Sequence, residues 1–216
     1  RGDFSYFAGG SFEASRYANY GAEPSWLNML EAPAYKKHKF YGKASYRLGA
    51  DDHEVSLFFH HTAHAGEVGR PNRDYQNLYD TLNLSYTLPL GQSATLSAKS
   101  GYRAYDRNWG EDNYPATLSL REHDRVDQKI LPTDLTLTIK HLGSSLLSLG
   151  TSLQSASYRT YDGATGTPRL GNDVQARTLG AFIQEKLVSG RWIWRAGGRF
   201  EHTATLLPDG SVLVAG

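Results

Sequence analysis

Hydrophobic and polar residues alternate along most of this chain with a period of two, the spacing of a β-strand with one apolar and one polar face. In the first run Phe4, Tyr6, Ala8, Phe12 and Ala14 share one face, with Ser5, Gly9, Ser11, Glu13 and Ser15 opposite. The second sets Phe40, Gly42, Ala44, Tyr46 and Leu48 against Tyr41, Lys43, Ser45 and Arg47. The third sets Val55, Leu57 and Phe59 against Glu54, Ser56 and His60. The same alternation runs through 82–88, 94–104, 135–140, 147–154, 179–187 and 192–201. Nine strands are predicted, several of them longer than the roughly five or six residues usual in globular sheets.

The links between the runs have their own rhythm. Gly49-Ala50-Asp51-Asp52, Pro89-Leu90-Gly91-Gln92, His141-Leu142-Gly143-Ser144 and Ser189-Gly190-Arg191 are tight. They alternate with long connections around 17–37, 65–74, 106–124 and 161–173, rich in Asn, Asp, Gly, Pro, Tyr and Trp. An up-and-down meander puts all the tight turns at one end of the sheet and all the long loops at the other, the asymmetry of an outer-membrane barrel. A soluble sandwich shares the alternation, with its apolar faces turned inward. Its Greek-key connections give no reason for that loop asymmetry. The expected fold is all-β, an up-and-down antiparallel meander forming part of a transmembrane β-barrel. Nine strands is an odd number where bacterial single-chain barrels use even ones, so the barrel is expected to be incomplete.

Composition adds limits. A mean hydropathy of −0.51 and 39% hydrophobic residues resemble a soluble protein, and no run approaches the roughly 18 apolar residues of a membrane helix. Barrel strands escape that test because only every second residue meets lipid. The absence of cysteine excludes disulfides and thiolate chemistry. A net charge of +1 without basic runs argues against nucleic acid. Fourteen Tyr and four Trp suit the two membrane interfaces. The chain opens on Arg1-Gly2-Asp3-Phe4, with no basic-then-apolar leader before its first strand.

Nothing in the sequence suggests catalysis. No Gly-rich phosphate loop, G-x-S-x-G or H-E-x-x-H is present, so the chain is read as a non-enzyme without cofactor or metal. His60, His61 and His64 sit at the end of the third run. Adjacent strand residues point to opposite faces, so His60 and His61 do not share a metal, and the three are expected as solvated interfacial residues. Asp51-Asp52, Glu111-Asp112 and Glu122/Asp124 are expected as solvated turn residues. The polar face gathers Lys43, Arg47, Lys99, Arg103, Lys140, Arg195 and Arg199. Such a wall either focuses an anionic metal chelate or pairs with acidic residues of a missing segment. Trp26, Tyr105, Trp109 and Tyr161 lie on or beside long loops and are expected chiefly as interfacial anchors, stacking on a ligand being the alternative. The candidate ligand-binding residues are Lys43, Arg47, Lys99, Arg103, Trp109, Arg195 and Arg199.

Three stretches carry a resemblance. Asp3-Phe4-Ser5-Tyr6-Phe7-Ala8-Gly9-Gly10-Ser11-Phe12 looks like an early barrel strand of TonB-dependent outer-membrane receptors. Leu179-Gly180-Ala181-Phe182-Ile183-Gln184-Glu185-Lys186-Leu187 resembles the recurrent a-F-x-Q-E/D strand of that family, and Trp192-Ile193-Trp194-Arg195-Ala196-Gly197-Gly198-Arg199-Phe200-Glu201 the strand that follows it. The resemblance covers about 1–203. It implies a 22-stranded barrel holding an N-terminal plug, energy coupling through TonB, and uptake of a scarce nutrient, most often an iron–siderophore complex. The partners it implies are outer-membrane lipid, the plug, TonB and the chelate. A porin-like passive channel is the alternative. Residues 202–216, with the tight Pro208-Asp209-Gly210 turn, resemble instead a kelch repeat strand pair as in galactose-oxidase-like proteins. The chain is therefore expected to divide into a partial barrel, 1–203, and a kelch-like hairpin tail, 204–216. A secreted kelch or β-sandwich protein is the reading that the tail alone would favour.

Overall fold

The computed structural model describes residues 3–16, 30, 34–49, 53–67, 69–163 and 169–215. Ten strands run β1 (Phe4–Arg16), β2 (Ala34–Leu48), β3 (His53–Glu67), β4 (Asp74–Leu90), β5 (Ala94–Asp112), β6 (Leu120–His141), β7 (Ser145–Asp162), β8 (Arg169–Ser189), β9 (Trp192–Leu206) and β10 (Val212–Ala215). They form one sheet in chain order, each strand antiparallel to its sequence neighbour. The short links carry Gly49, Gly91, Gly143 and Gly190 at φ of 72°, 68°, 77° and 57°. Tight hairpin turns need that left-handed backbone, which glycine adopts without strain.

The cross-strand pairing confirms which residues share a face. One ladder joins Phe4, Tyr46, Val55, Tyr86, Ala98, Leu135, Thr151, Ala181 and Phe200. The adjacent one joins Ser5, Ser45, Ser56, Ser85, Lys99, Asp134, Ser152, Gly180 and Glu201 on the opposite face. The apolar face packs against nothing: Ala63 is the one buried hydrophobic residue among those described. Phe40, Leu57, Leu84 and Trp194 are 53%, 42%, 49% and 64% exposed, while Leu96, Leu137 and Leu149 are half-buried against neighbours in the sheet. A sandwich would have closed that face into a core.

Register also yields the strand tilt. From Tyr46, Tyr86, Leu135 and Ala181 on the first ladder, the strands run on for 2, 4, 6 and 8 residues to their last residues Leu48, Leu90, His141 and Ser189. The turns therefore advance one residue per strand. A step of about 3.4 Å along the chain for about 4.8 Å across it is a tilt of roughly 35°, at the edge of the 35–45° that barrel closure requires. Counted back from those same turns, the first acidic, basic or histidine outward residues are His38, Asp80, Lys129 and Arg177, leaving aside His141 and Glu185, which pair with each other at 2.8 Å near the turn end. The apolar belt is thus 10 to 12 residues tall on all four strands, close to the 9–11 a tilted membrane strand needs.

A tenth strand follows the nine, Val212–Ala215 folding back on Thr203–Leu206 as a short hairpin. Asp209 Oδ1 holds that hairpin by accepting hydrogen bonds from the Ser211 amide at 2.9 Å and hydroxyl at 2.6 Å, which lowers the Asp209 pKa. The long connections are shorter than 65–74, 106–124 and 161–173 suggested. β3 runs to Glu67, β5 to Asp112, β6 starts at Leu120, and β7 runs to Asp162. Above the belt an outward position no longer has to be apolar, so Asp106, Asn108 and Arg125 continue strands whose composition reads as loop. Glu111-Asp112 and Glu122/Asp124 accordingly lie in strands, not turns. Trp26 and Ala50-Asp51-Asp52 fall outside the described residues.

The exposed apolar face has a direct consequence. In plain buffer the 216-residue chain is expected to self-associate, since this face exceeds the few hundred Å² that soluble monomers expose and β1 presents an unpaired edge. Size-exclusion chromatography with light scattering checks this. A monodisperse monomer with a cooperative melt would contradict it.

Candidate functional site: the polar face and its rim

Three clefts lined by described residues open on the polar face, the side that is concave when such a meander curls as a barrel wall. The central one, about 450 Å³, is lined by Lys43, Phe58, Asn83, Lys99, Arg103 and Asp134. Pro132 and Gly101 form part of its wall, and a Cβ on Gly101 would come within 3.2 Å of the Pro132 ring. Lys43 is shared with a second cleft of about 350 Å³, where Arg47, Ser45 and Glu54 meet Asp3 and Ser5. A third, about 530 Å³, lies on β8 and β9 between Phe182, Gln184, Arg195, Gly197 and Arg199. The sheet therefore puts all six basic candidates on one face, in two groups: Lys43, Arg47, Lys99 and Arg103 on β2 and β5, Arg195 and Arg199 on β9. Lys99 lies directly opposite Asp134, and Arg199 contacts Glu201 at 3.2 Å.

Trp109 stands apart, on the same face toward the long-loop end. It stacks on Tyr75 at 6.2 Å, with the Arg73 and Arg107 guanidiniums 5.7 and 5.5 Å from its ring. Below it Tyr79 and Tyr105 stack at 4.5 Å, and the Tyr105 hydroxyl donates to Asn77 Oδ1 at 3.2 Å. Tyr105 and Trp109 thus belong to β5 and face inward, which corrects the expectation that they anchor in an outer interface. Tyr161 does lie on the outer face, beside Arg125. Sequence reading missed Tyr75, Tyr79, Arg73 and Arg107; the uninterrupted alternation from Arg103 to Trp109 was the available signal.

The histidines divide as strand geometry requires. His60 and His64 face inward and His61 outward, where its Nδ1 lies 2.7 Å from Asp80. His64 Nε2 is 2.9 Å from the Tyr75 hydroxyl. No group of three His, Cys, Asp or Glu side chains able to hold a metal occurs among the described residues.

At the rim two loops are locked together. Arg70 Nε donates to Asp112 Oδ2 at 2.7 Å, with 6% and 0% of the two side chains exposed. Asp112 Oδ1 accepts the Tyr114 amide at 3.0 Å, and the Arg70 guanidinium lies 4.9 Å from the Tyr114 ring. Asn72, at φ 60°, donates from Nδ2 to the Leu118 carbonyl at 2.8 Å, and Gly69 accepts from the Leu30 amide at 3.1 Å. Asp112, expected as a solvated turn residue, is the most enclosed carboxylate described. Near the start of β6, above the apolar belt, burial together with Glu122 and Asp162 raises the Asp124 pKa.

No family model matches the sequence, and no curated protein matches it. Solved structures do match the fold. The FpvA receptor of P. aeruginosa bound to a heterologous ferric pyoverdine superposes with a TM-score of 0.74 over 99% of this chain, at 12% identity. The copper transporter OprC gives 0.71 over 96% at 12% identity, and the ferric citrate transporter FecA 0.64 over 87% at 12%. The chain spans about a third of each, 34%, 36% and 33% of their lengths. Its ten-stranded meander has the fold of a segment of the barrel wall of these transporters.

Proposed function

We propose that this chain is part of the wall of a gated receptor in the bacterial outer membrane, of the TonB-dependent kind, which takes up a scarce nutrient as a negatively charged metal chelate. The belt of constant height on the convex face supports residence in a bilayer. The observation that carries the cargo class is the cluster of Lys43, Lys99 and Arg103 in one concave cleft. Converging cations in a confined polar lumen attract an anionic complex and repel a bare metal cation. That favours a ferric chelate, an iron–siderophore complex in particular, over free copper. Arg47, Arg195, Arg199 and Trp109 extend the same wall, with Trp109 as a stacking surface. A plug inside the barrel and TonB beyond it are the proposed partners. Residues 204–216 are read as a hairpin tail on the end of the barrel sheet, its first three residues still paired with β8; the reading is supported by the unalternating apolar run Val212-Leu213-Val214 after the tight turn.

Ferric-chelate transport by the intact receptor tests this. Lys99→Ala with Arg103→Ala is expected to weaken binding at least about tenfold, as loss of a charge-assisted hydrogen bond does. Uptake is expected to stop when the proton gradient is collapsed. Unchanged affinity in the double variant would overturn the cargo assignment, and uptake that survives uncoupling would favour a passive porin-like channel.

A further inference from the structure

Pro132 lies in the middle of β6, a strand paired on both sides, with β5 and with β7. Proline cannot donate to a ladder, and within sheets it is confined to edges, strand starts and bulges. Here it interrupts the pairing without a bulge. The β5–β6 register runs from Ala94↔Ile139 to Ser100↔Thr133, is open at Gly101 and Tyr102 opposite Pro132 and Leu131, and resumes unshifted at Arg103↔Ile130. Among the described residues no other junction is interrupted within the apolar belt.

The missing bond follows from the register. The Lys140 amide donates to the Ser93 carbonyl at 2.6 Å, and every second amide of an antiparallel strand points the same way. The amide position of residue 132 therefore faces Gly101, whose carbonyl loses the strand donor that proline lacks. At membrane depth such a group is tolerated only where it is enclosed in protein or lines water. Gly101 and Pro132 do line the central cleft of about 450 Å³ on the concave face. A Cβ at residue 101 would lie 2.8 Å from Asn83 Oδ1 and 3.2 Å from the Pro132 ring, so glycine is what fits beside the proline.

We infer that the Gly101–Pro132 junction is a hydrated seam in the barrel wall, at which β5 and β6 part and let the central cleft widen as cargo passes. A wall yields first where opening breaks the fewest bonds, and one rung is already absent here. Water from the cleft supplies the donor that Pro132 withholds, so the parting begins wetted. The inference rests on the sheet being the wall of a transport lumen, but the seam itself is testable without cargo.

Hydrogen exchange of the intact receptor in lipid nanodiscs reads the seam. Pro132→Ala restores the donor and is expected to slow exchange at the Gly101, Arg103 and Ile130 amides about five- to tenfold, the worth of one hydrogen bond. The amides of Leu82 and Leu84, at the same height in β4, are expected to stay unchanged. Uptake of chelated ferric iron reads the role in passage. A disulfide across the gap, from Tyr102→Cys with Leu131→Cys, is expected to stop uptake until it is reduced. The same staple at Leu96→Cys with Leu137→Cys, directly paired lower in the junction, is expected to leave uptake intact. Exchange unaltered by Pro132→Ala would overturn the seam, and uptake undisturbed by the upper staple would overturn its part in passage. Should the unmodified receptor take up no ferric chelate, the cargo reading falls and the exchange result still decides the seam.

Discussion

Leu84→Arg is expected to lower the stability of the membrane-inserted receptor by about 2–4 kcal/mol, the cost of a basic side chain on the lipid face near the bilayer midplane. Leu84 sits midway along the β4 belt that runs from Leu90 to Asp80, and it is 49% exposed on the convex face. An arginine there has no aqueous region within easy reach, so even its long side chain must deform the bilayer to find water. The adjacent substitution Ser85→Arg places the same residue on the concave face. It sacrifices the 2.6 Å contact between the Ser85 and Ser56 hydroxyls, a loss of about 1 kcal/mol, but keeps the charge in water. Equilibrium folding into lipid vesicles in urea reads both. Equal costs at the two positions would show that the faces do not differ in solvent.

The second large effect is expected at the rim. Asp112→Ala removes the carboxylate that pairs with the enclosed Arg70 guanidinium at 2.7 Å, and breaking a buried pair costs about 3–5 kcal/mol. It also frees the Tyr114 amide. The loss should be local, because the pair ties loops 69–73 and 113–119 together rather than holding the sheet. Hydrogen exchange is expected to accelerate by at least about a hundredfold at amides of these two loops and hardly at all in β7 and β8. The double replacement Arg70→Met with Asp112→Leu is expected to restore much of the protection, since it removes both charges of the buried pair together. Exchange unchanged in Asp112→Ala would mean that the turns hold themselves.

How far the fold was legible depended on distance along the chain. Alternation is local, so each strand announces its two faces, and the placements of Phe40, Leu84 and Trp194 opposite Lys43, Lys99 and Arg199 follow from parity alone. The alternating lengths of the links then fix the meander. Strand ends were harder. Asp106, Asn108 and Gly110 are loop-like in type, yet they continue β5, because above the belt neither face meets hydrocarbon and the usual contrast fades. The cationic wall was visible as a set of residues but not as two groups, since its division depends on which strands lie between.

Contacts between distant segments were invisible to pattern. Arg70 and Asp112 are 42 residues apart, and nothing in either neighbourhood marks them as partners. Only the hairpin of β4 and β5 brings the two loops side by side. The facing of Gly101 and Pro132 likewise emerges from register. A shift by one residue would place a different pair face to face.

The central claim is that the two faces of this sheet meet different solvents, hydrocarbon outside and water inside. Spin labels placed one at a time from Leu82 to Leu88, in the intact receptor reconstituted in bilayers, test it most directly. Collision with oxygen, which concentrates in hydrocarbon, should peak at Leu82, Leu84, Tyr86 and Leu88. Collision with a water-soluble nickel complex should peak at Asn83, Ser85 and Thr87. A profile without this two-residue alternation, or one in the opposite phase, would contradict the account.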